Sequence, residues 1–376
     1  MICVASLINR DLPPIVVRLL AYVYEEQAGC VQWDGIRSTE FSITNGTRQG
    51  SVLSPTLFSV YIDDLLKELR QLGVGCHVGG VWVGATGYAD DLILLAPSRT
   101  AMVRMLGVCE QYAERHNLMF STDPNPSKSK SKCLYMCGYQ NPVYPLPLKL
   151  RGQELPWVQH AVHLGHEFHQ LCTMEYDANI QKAQFVETAI DIQNTFKFAR
   201  PQKIIKAVQV YAGHWYGSML WDLYGEKGGQ LCRAWNTSVK TAWGLPGSTH
   251  TFIVENLLAR DLLTVKQQLV GRFVTFFRSL LLSISPEVRV VANIVGRCAR
   301  STTGSNLMRI ERETLLDPWV TPGWKVCAAV PRADVPDHDK WRLVYLMKLL
   351  VARQQLESSC QDTSEVTTLI ESLSSS

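Results

Sequence analysis

The sequence predicts an α+β fold: an antiparallel sheet with packed helices, followed by a mostly α-helical region. Strand-like and helix-like segments alternate up to about residue 137, and helical patterns prevail from about residue 174. Hydrophobic residues make up 46% and charged residues 19% of the 376 residues, which is typical of a globular protein with a sizeable core. The net charge of +3 neither demands nor excludes a polyanionic partner.

The N-terminal segment predicts a helix and then a hairpin. Pro13-Pro14 opens a helical stretch that Gly29 closes. Between Cys30 and Ile43, Asp34-Gly35 is a favoured two-residue turn joining two strands. The residues from Asn45 to Gly50 form a loop by composition.

A second helix is predicted to begin at Ser54-Pro55, because proline is tolerated in a first helical turn. One apolar stripe at helical spacing follows, made of Leu57, Phe58, Tyr61, Ile62, Leu65, Leu66 and Leu69. Asp63 and Asp64 fall at the margin of this stripe. We therefore expect them to be helix-surface carboxylates and not metal ligands.

Residues 81–96 predict a strand hairpin with Asp90 and Asp91 at its tip. Ser98 is expected to cap the next helix, whose apolar face carries Met102, Met105, Leu106, Cys109 and Ala113. Strands are predicted around Leu118–Ser121 and Lys132–Cys137.

The helical remainder offers two ambiguous features. Ile180, Ala183, Val186 and Ile190 share one predicted helix face, and Pro201 ends that run. The aromatic residues Trp215, Tyr216, Trp221 and Tyr224 could stack on bases, but core packing is the favoured interpretation. The serine-rich C-terminal end is expected to be frayed.

Tyr88-Ala89-Asp90-Asp91 is the strongest chemical signal. Two adjacent carboxylates precede the apolar run Leu92–Ala96, and acidic groups beside buried strands are costly unless a cation compensates them. Paired Mg²⁺ ions held by carboxylates activate a hydroxyl and stabilise the leaving oxygen in polymerases. The alternative is an ordinary surface turn.

An ordered series of segments resembles the reverse transcriptase of non-LTR, LINE-type retrotransposons. Asn45–Phe58 resembles the family's loop-to-helix motif beside nucleotide and template, and Tyr88–Asp91 resembles its metal-binding hairpin. Asn125–Lys130 is similar to the lysine-bearing motif, and His163-Leu164-Gly165 to the primer-contacting turn. These motifs cover about residues 10–170 in the family's order. Group II intron enzymes are an alternative, and retroviral enzymes match less well.

The resemblance implies a role for each site residue. Asp90 and Asp91 would hold Mg²⁺, with Mn²⁺ as a substitute, and Lys130 or Lys128 would neutralise or protonate the departing pyrophosphate. The alternative for the lysines is a strand edge protected by charge. The residues implied to contact nucleotide or template are Arg48, Gln49, Gly50, Ser54 and Tyr88. The residues implied to contact the primer are His163, Leu164 and Gly165.

The resemblance also implies a domain order. Residues 1–170 would be a partial reverse transcriptase palm lacking the fingers and first catalytic motif, 171–230 a thumb-like region, and 231–376 a helical C-terminal region. In the family the first essential Asp lies on a strand ahead of the segment that Asn9–Pro14 resembles. We therefore expect a truncated chain that lacks an endonuclease domain and is weakly active or inactive by itself.

RNA template, DNA primer and dNTPs are the implied partners, and a non-catalytic RNA- or DNA-binding remnant is the alternative. Lys197, Arg200, Lys203 and Lys206 form a basic cluster that would suit such partners or simply be a solvated face. Eleven cysteines without a CxxC pair indicate reduced thiols and an intracellular location, and the resemblance implies the nucleus. The sequence contains no run of eighteen uncharged apolar residues, so it predicts no membrane span.

A histidine- and cysteine-rich segment raises the question of zinc. His163, His166, His169 and Cys172 recur every third residue, and imidazole and thiolate ligands suit zinc. Such regular spacing does not create two separated ligand pairs, so zinc is not expected.

Overall fold

The computed structural model of the chain describes residues 4–25, 27–43, 46, 50–123, 125, 128–137, 140–172, 175–257 and 262–332. By their contacts they form two compact units, one within residues 1–135 and 140–159 and the other within 136–139 and 160–376. Helices and short strands are both present, which confirms the α+β class. Over these ranges, no helix is both long and apolar enough to cross a membrane.

The first unit combines helices with short strand pairs. Its helices in the described ranges are α1 (Val4–Ile8), α2 (Pro14–Glu25), α3 (Ser54–Gln71) and α4 (Arg99–Arg115). Its strands there are β1 (Ala28–Gly29), β2 (Gln32–Trp33), β3 (Ile36–Arg37), β4 (Phe41–Ser42), β5 (His77–Val78), β6 (Val81–Trp82), β7 (Ala85–Tyr88), β8 (Asp91–Leu94), β9 (Cys133–Leu134), β10 (Lys149–Leu150), β11 (Gln153–Glu154) and β12 (Trp157–Val158).

These strands pair two by two. The antiparallel pairs are β1–β4, β2–β3, β5–β6, β7–β8 and β10–β11, and β9–β12 is parallel. The turn at Asp34-Gly35 is confirmed, because both residues have the positive φ (48° and 80°) that a type I′ hairpin turn requires. The strand predicted around Leu118–Ser121 is wrong. The Leu118 amide instead donates to the carbonyl of Ala113 and closes the end of α4.

The core of the first unit lies between α3 and α4. Leu65 and Leu69 from α3 pack with Met105, Cys109 and Tyr112 from α4, and all five are buried. At the start of α4, the hydroxyl of Ser98 accepts a hydrogen bond from the amide of Ala101, which confirms the predicted cap.

The second unit is mostly helical. It begins with the hairpin β13 (His160–His163) and β14 (His166–His169). Its helices in the described ranges are α5 (Glu175–Thr195), α6 (Pro201–Tyr211), α7 (Glu226–Trp243), α8 (Thr251–Leu257), α9 (Val265–Leu281), α10 (Pro286–Arg297), α11 (Thr302–Thr314) and α12 (Gly323–Ala329), with a 3₁₀ turn at Ser218–Leu220.

The core of this unit is rich in aromatic side chains. Trp215 and Trp221 are both buried in it, which confirms the core interpretation for these two tryptophans. The face of α5 that Ile180 and Ile190 share does not enter the core, because these residues are 44% and 51% exposed. The opposite side of α5, with Phe185 at 1% exposure, packs into the core instead.

Candidate active site

The β7–β8 hairpin carries the two adjacent carboxylates. Its register pairs Ala85 with Leu94 and Tyr88 with Asp91, so that Ala89 and Asp90 form the two-residue turn. The predicted hairpin is thus confirmed for residues 85–94. Ala89 has a φ of 51°, a left-handed conformation that costs a residue with a Cβ about 1 kcal/mol or more. Backbone strain of this kind is often found at functional sites.

One face of the hairpin anchors it to the core of the first unit. Side chains alternate between the two faces of a strand, so Ala85, Leu92 and Leu94 share one face. All three pack against the α3–α4 core. Gly87 also lies on this side, where an added Cβ would be 3.7 Å from Leu66 of α3.

The other face and the tip carry the polar groups. Tyr88 is 66% exposed, and Asp90 and Asp91 are exposed. A half-buried apolar face thus anchors a hairpin whose tip presents an accessible pair of carboxylates. This is the arrangement expected of a site that receives a ligand from solution.

The chemistry of these two donors fits a hard cation. Mg²⁺ prefers oxygen ligands and is often bound by one or two carboxylates together with water and substrate phosphates. Asp90 and Asp91 supply two such carboxylates. No cluster of three or more His, Cys, Asp or Glu residues suited to a metal ion occurs within the described ranges. Any further ligands would therefore come from outside these residues.

Asp63 and Asp64 form a second Asp-Asp pair, and their environment is different. Arg10 Nη2 lies 2.6 Å from Asp63 Oδ2 and 3.0 Å from Asp64 Oδ1. Lys67 Nζ lies 2.8 Å from Asp63 Oδ2, and Ser6 Oγ donates to Asp64 Oδ2 at 2.6 Å. The carboxylates of this pair are thus engaged by cations and a hydroxyl of the protein itself, in agreement with their predicted helix-surface role.

The loop-to-helix motif is described only in part. Arg48 and Gln49 lie outside the described residues. Gly50 is exposed with a φ of 80°, and nothing lies within 4 Å of a Cβ added there. Backbone conformation alone therefore favours glycine at this position. Ser54 is 7% exposed and is the first residue of α3, so its side chain is largely covered by the protein.

Lys130 and Lys128 lie in the loop before β9, in the same compact unit as Asp90. Both are exposed, whereas Ser129 between them is 3% exposed and donates its hydroxyl hydrogen to the carbonyl of Ser131 at 2.6 Å. The lysines thus flank a buried serine and extend from the loop into solvent.

The segment resembling the primer-contacting turn lies in the second unit. Leu164 and Gly165 join β13 to β14 with φ values of 50° and 78°, as a type I′ turn requires. His163 is the last residue of β13 and is paired with His166. The structure thus places this turn in the helical unit, whereas Asp90 and Asp91 lie in the other unit.

The register of this hairpin also divides its histidines. His163 pairs with His166 and His160 pairs with His169, three positions apart along each strand. Because side chains alternate, the two pairs project from opposite faces of the hairpin. Four imidazoles on two faces do not converge on one tetrahedral zinc site.

Sequence reasoning missed the residues that hold this turn. Tyr216 donates its hydroxyl hydrogen to the carbonyl of Leu164 at 2.8 Å, and its ring stacks on His166. Asp177 lies 3.8 Å from His166 Nδ1. No local pattern links these residues, because they come from separate segments of the chain.

Comparison with known proteins gives a family for the first part of the chain. Residues 7–168 match the family described as Reverse transcriptase (RNA-dependent DNA polymerase). Two relatives are Retrovirus-related Pol polyproteins. One is from the type-2 retrotransposable element R2DM of Drosophila melanogaster, 37% identical over 83 residues, which are 22% of this chain and 8% of the relative. The other is from the type-1 retrotransposable element R2 of Nasonia vitripennis, 26% identical over 159 residues, 42% of this chain and 15% of the relative.

A third relative is the RNA-directed DNA polymerase from the mobile element jockey of Drosophila funebris. It is 32% identical over 155 residues, which are 41% of this chain and 16% of the relative. The matches thus span between 8% and 16% of the length of these three relatives. Residues 7–168 are therefore similar to reverse transcriptases, and the relatives that match this part of the chain include proteins of non-LTR retrotransposons of the R2 and jockey types.

Proposed function

We propose that this chain supplies the Asp90–Asp91 part of the active site of an RNA-directed DNA polymerase, which extends a DNA primer along an RNA template with dNTPs. The observation that carries the proposal is the exposed Asp90–Asp91 pair, held by a core-anchored hairpin inside the region that matches reverse transcriptases. The R2 and jockey relatives favour a non-LTR enzyme over a group II intron enzyme.

Within this proposal, residues 1–170 are a palm region, 171–230 a thumb-like region and 231–376 a helical C-terminal region. The two antiparallel strands of the β7–β8 hairpin, packed on α3 and α4, support the palm assignment. The helical character of α5 and α6 supports the thumb assignment. As with other elements of this type, we propose that the chain acts in the nucleus.

The site residues divide into three roles. Bound Mg²⁺, or Mn²⁺ in its place, would neutralise charge on the reacting phosphates. Asp90 and Asp91 would hold and orient it, and Lys130 would place a positive charge or a proton near the departing pyrophosphate. Nucleotide and template would be contacted by Arg48, Gln49, Gly50, Ser54 and Tyr88. The primer would be contacted by His163, Leu164 and Gly165.

We expect low activity from this chain alone. Two-metal transfer needs carboxylates that bridge both ions, and the described residues offer no cluster of three metal-binding groups. Purified chain, RNA template, DNA primer and dNTPs with Mg²⁺ or Mn²⁺ should therefore yield little extension. Robust templated synthesis would contradict this expectation.

The basic segment before and within α6 supports nucleic acid as the partner. Residues 192–221 contain no Asp or Glu, while Lys197, Arg200, Lys203 and Lys206 are all exposed. Phe198 is 93% exposed, with Lys197 Nζ 4.9 Å from the centre of its ring. Exposed cations interleaved with an aromatic ring suit the phosphates and bases of a nucleic acid strand.

The test of the metal site compares the Asp90–Asp91 pair with the Asp63–Asp64 pair, which is the control. Mn²⁺ binding is titrated by electron paramagnetic resonance for the chain, for the Asp90→Asn/Asp91→Asn variant and for the Asp63→Asn/Asp64→Asn variant. We expect binding to be lost in the first variant and retained in the second. Equal binding by all three proteins would overturn the proposed site, because both variants remove the same formal charge.

A further inference from the structure

We infer that Tyr216 and Asp177 are positioning residues that hold the Leu164-Gly165 turn in the shape needed to receive a primer terminus. The inference rests on the primer contact of the proposed function and adds the residues that control it. Tyr216, in the segment before the 3₁₀ turn, lies 52 residues from Leu164, and Asp177, in α5, lies 12 residues from Gly165.

Tyr216 holds the turn at three points. Its hydroxyl donates to the carbonyl oxygen of Leu164 at 2.8 Å. Its ring lies almost parallel to the ring of His166, with centroids 4.6 Å apart and an angle of 7°. A Cβ added to Gly165 would come within 3.1 Å of the tyrosine ring, so the ring also covers the glycine. Both central residues of the turn and the residue after it are thus in contact with one side chain.

Tyr216 is itself fixed by its chain neighbours. Trp215 is 1% exposed in the core of the helical unit, and its indole N–H donates to Gln268 Oε1 at 3.2 Å. Gly217 has a φ of 80°, and an added Cβ would lie 2.6 Å from Asp177 Oδ2. Tyr216 is therefore held between a buried anchor and a residue that packs directly on the Asp177 carboxylate.

Asp177 completes the attachment. It is 2% exposed, and the indole N–H of Trp221 donates to its Oδ2 at 2.7 Å. His166 Nδ1 lies 3.8 Å from the same oxygen. A buried carboxylate is costly unless polar groups compensate it. Trp221 supplies a hydrogen bond to the carboxylate, which also faces His166 and therefore lies between β14 and α5.

The result is a turn with a fixed backbone and an accessible outer side. Leu164 is 39% and Tyr216 51% exposed, although Trp215 next to Tyr216 and Asp177 beneath the turn are buried. A primer 3′ end must be placed within a few tenths of an ångström for efficient transfer, so a pre-organised contact is favoured over a mobile one. The buried side chains of the helical unit hold the turn in this pre-organised conformation.

Two measurements on the whole chain test the inference. The first is amide hydrogen exchange of residues 163–166 in the free protein. The second is photocrosslinking to an RNA–DNA duplex whose primer carries a photoreactive 3′-terminal nucleotide, with the crosslinked peptide identified by mass spectrometry. The main variant is Tyr216→Phe, which keeps the ring and removes the hydroxyl. Tyr22→Phe is the matched control, because Tyr22 is 67% exposed on α2, outside the segment proposed to bind nucleic acid.

In Tyr216→Phe we expect exchange at the turn to rise about fivefold, the effect of losing one hydrogen bond, and the crosslink yield at 163–166 to fall by a similar factor. Duplex affinity and melting temperature should stay close to those of the wild type, which separates positioning from folding. Asp177→Asn keeps an acceptor for Trp221 and removes the charge that faces His166, and it should act in the same direction.

The outcomes separate the inference from the function on which it rests. Unchanged exchange and unchanged crosslinking in Tyr216→Phe would overturn the positioning role, while a wild-type crosslink at 163–166 would still support the primer contact. No wild-type crosslink at 163–166, despite duplex binding, would overturn the primer contact and with it this inference. Equal effects in Tyr22→Phe would also overturn it.

Discussion

Arg10 Nη2 lies 2.6 Å from Asp63 Oδ2, and this ion pair joins the segment after α1 to the exposed side of α3. The same guanidinium donates to the carbonyl oxygens of Ser6 and Val60, and it also reaches Asp64 at 3.0 Å. One cation therefore serves two helices and two carboxylates. The relationship shows how an Asp-Asp pair can have a structural role in this chain, in contrast to the exposed Asp90–Asp91 pair.

Replacing Arg10 by methionine should destabilise the first unit. The change removes hydrogen bonds to charged and backbone acceptors that are partly exposed, so we expect a loss of about 1–2 kcal/mol in the free energy of unfolding. The loss is measured by urea denaturation followed by circular dichroism. Lys67→Met is the control and should cost less, because Lys67 is a more exposed partner of Asp63. A larger loss in Lys67→Met would contradict this assignment.

Acid should weaken the same network. Burial is the largest single influence on the pKa of Asp63 and raises it, but the hydrogen bonds and positive charges of Lys67 and Arg10 together outweigh burial and lower the pKa below its ordinary value. For Asp64, burial again raises the pKa, and hydrogen bonds from Ser6 and Arg10 lower it to below 3.8.

A carboxylate with a lowered folded pKa stabilises the fold above its unfolded pKa, and this stabilisation is lost as pH falls through the folded value. The free energy that wild type gains over Asp63→Asn should therefore be constant down to about pH 5 and shrink below about pH 4. Urea denaturation at several pH values measures this difference. A gap that stays the same under acid conditions would contradict the network.

Cysteine reactivity should follow burial. Burial raises the pKa of Cys109 to about 12 and that of Cys133 to about 11, so neither thiol forms the reactive thiolate near neutral pH. Cys172 and Cys298 are exposed. Iodoacetamide at pH 8, followed by peptide mass spectrometry, should modify the exposed pair first and reach Cys109 and Cys133 only after denaturant is added. Early modification of Cys109 would show that the α3–α4 core opens readily.

Local signals in the sequence predicted the hairpin that carries Asp90 and Asp91 better than they predicted the packing of the helices. The β7–β8 hairpin follows from side-chain alternation and a short turn, and the Ser98 cap follows from one side chain. The buried face of α5 does not follow from local signals, because Ile180 and Phe185 lie on different apolar stripes of the same helix. Only tertiary contact with Trp215 and Trp235 selects the stripe with Phe185.

The contacts that hold the Leu164-Gly165 turn could not be predicted from the local sequence either. Tyr216 and Leu164 are 52 positions apart, and Asn306 reaches across 85 positions to the carbonyl of Trp221. Contacts of this range depend on the packing of the whole unit. Aromatic composition could place Trp215 in a core, but it could not say that the next residue would hold a hairpin.

Gly217→Ala should be strongly destabilising. The φ of 80° costs a residue with a Cβ about 1 kcal/mol, and the new atom would lie 2.6 Å from Asp177 Oδ2 and from His166 Cε1. Overpacking adds about 1–3 kcal/mol. Gly152→Ala is the control, since Gly152 has a φ of 76° and nothing within 4 Å of an added Cβ. The melting temperatures of the two variants are compared. An equal decrease in both would show that Asp177 and His166 can move to make room for the new Cβ.

Charge reversal on α6 should weaken nucleic acid binding in a salt-dependent way. Lys203 and Lys206 are exposed, and the surrounding stretch from 192 to 221 contains no acidic residue, so both ammonium groups are available to phosphates. Each phosphate contact releases about one counterion, and losing two should lower the slope of log affinity against log salt by about 2. The measurement is fluorescence anisotropy of an RNA–DNA duplex with the Lys203→Glu/Lys206→Glu variant at several salt concentrations.

The control for the α6 variant is Arg312→Glu/Lys325→Glu, which changes the net charge equally at exposed positions of α11 and α12. If the two double variants lose the same affinity and the same slope, binding follows net charge alone and α6 is not the contact surface.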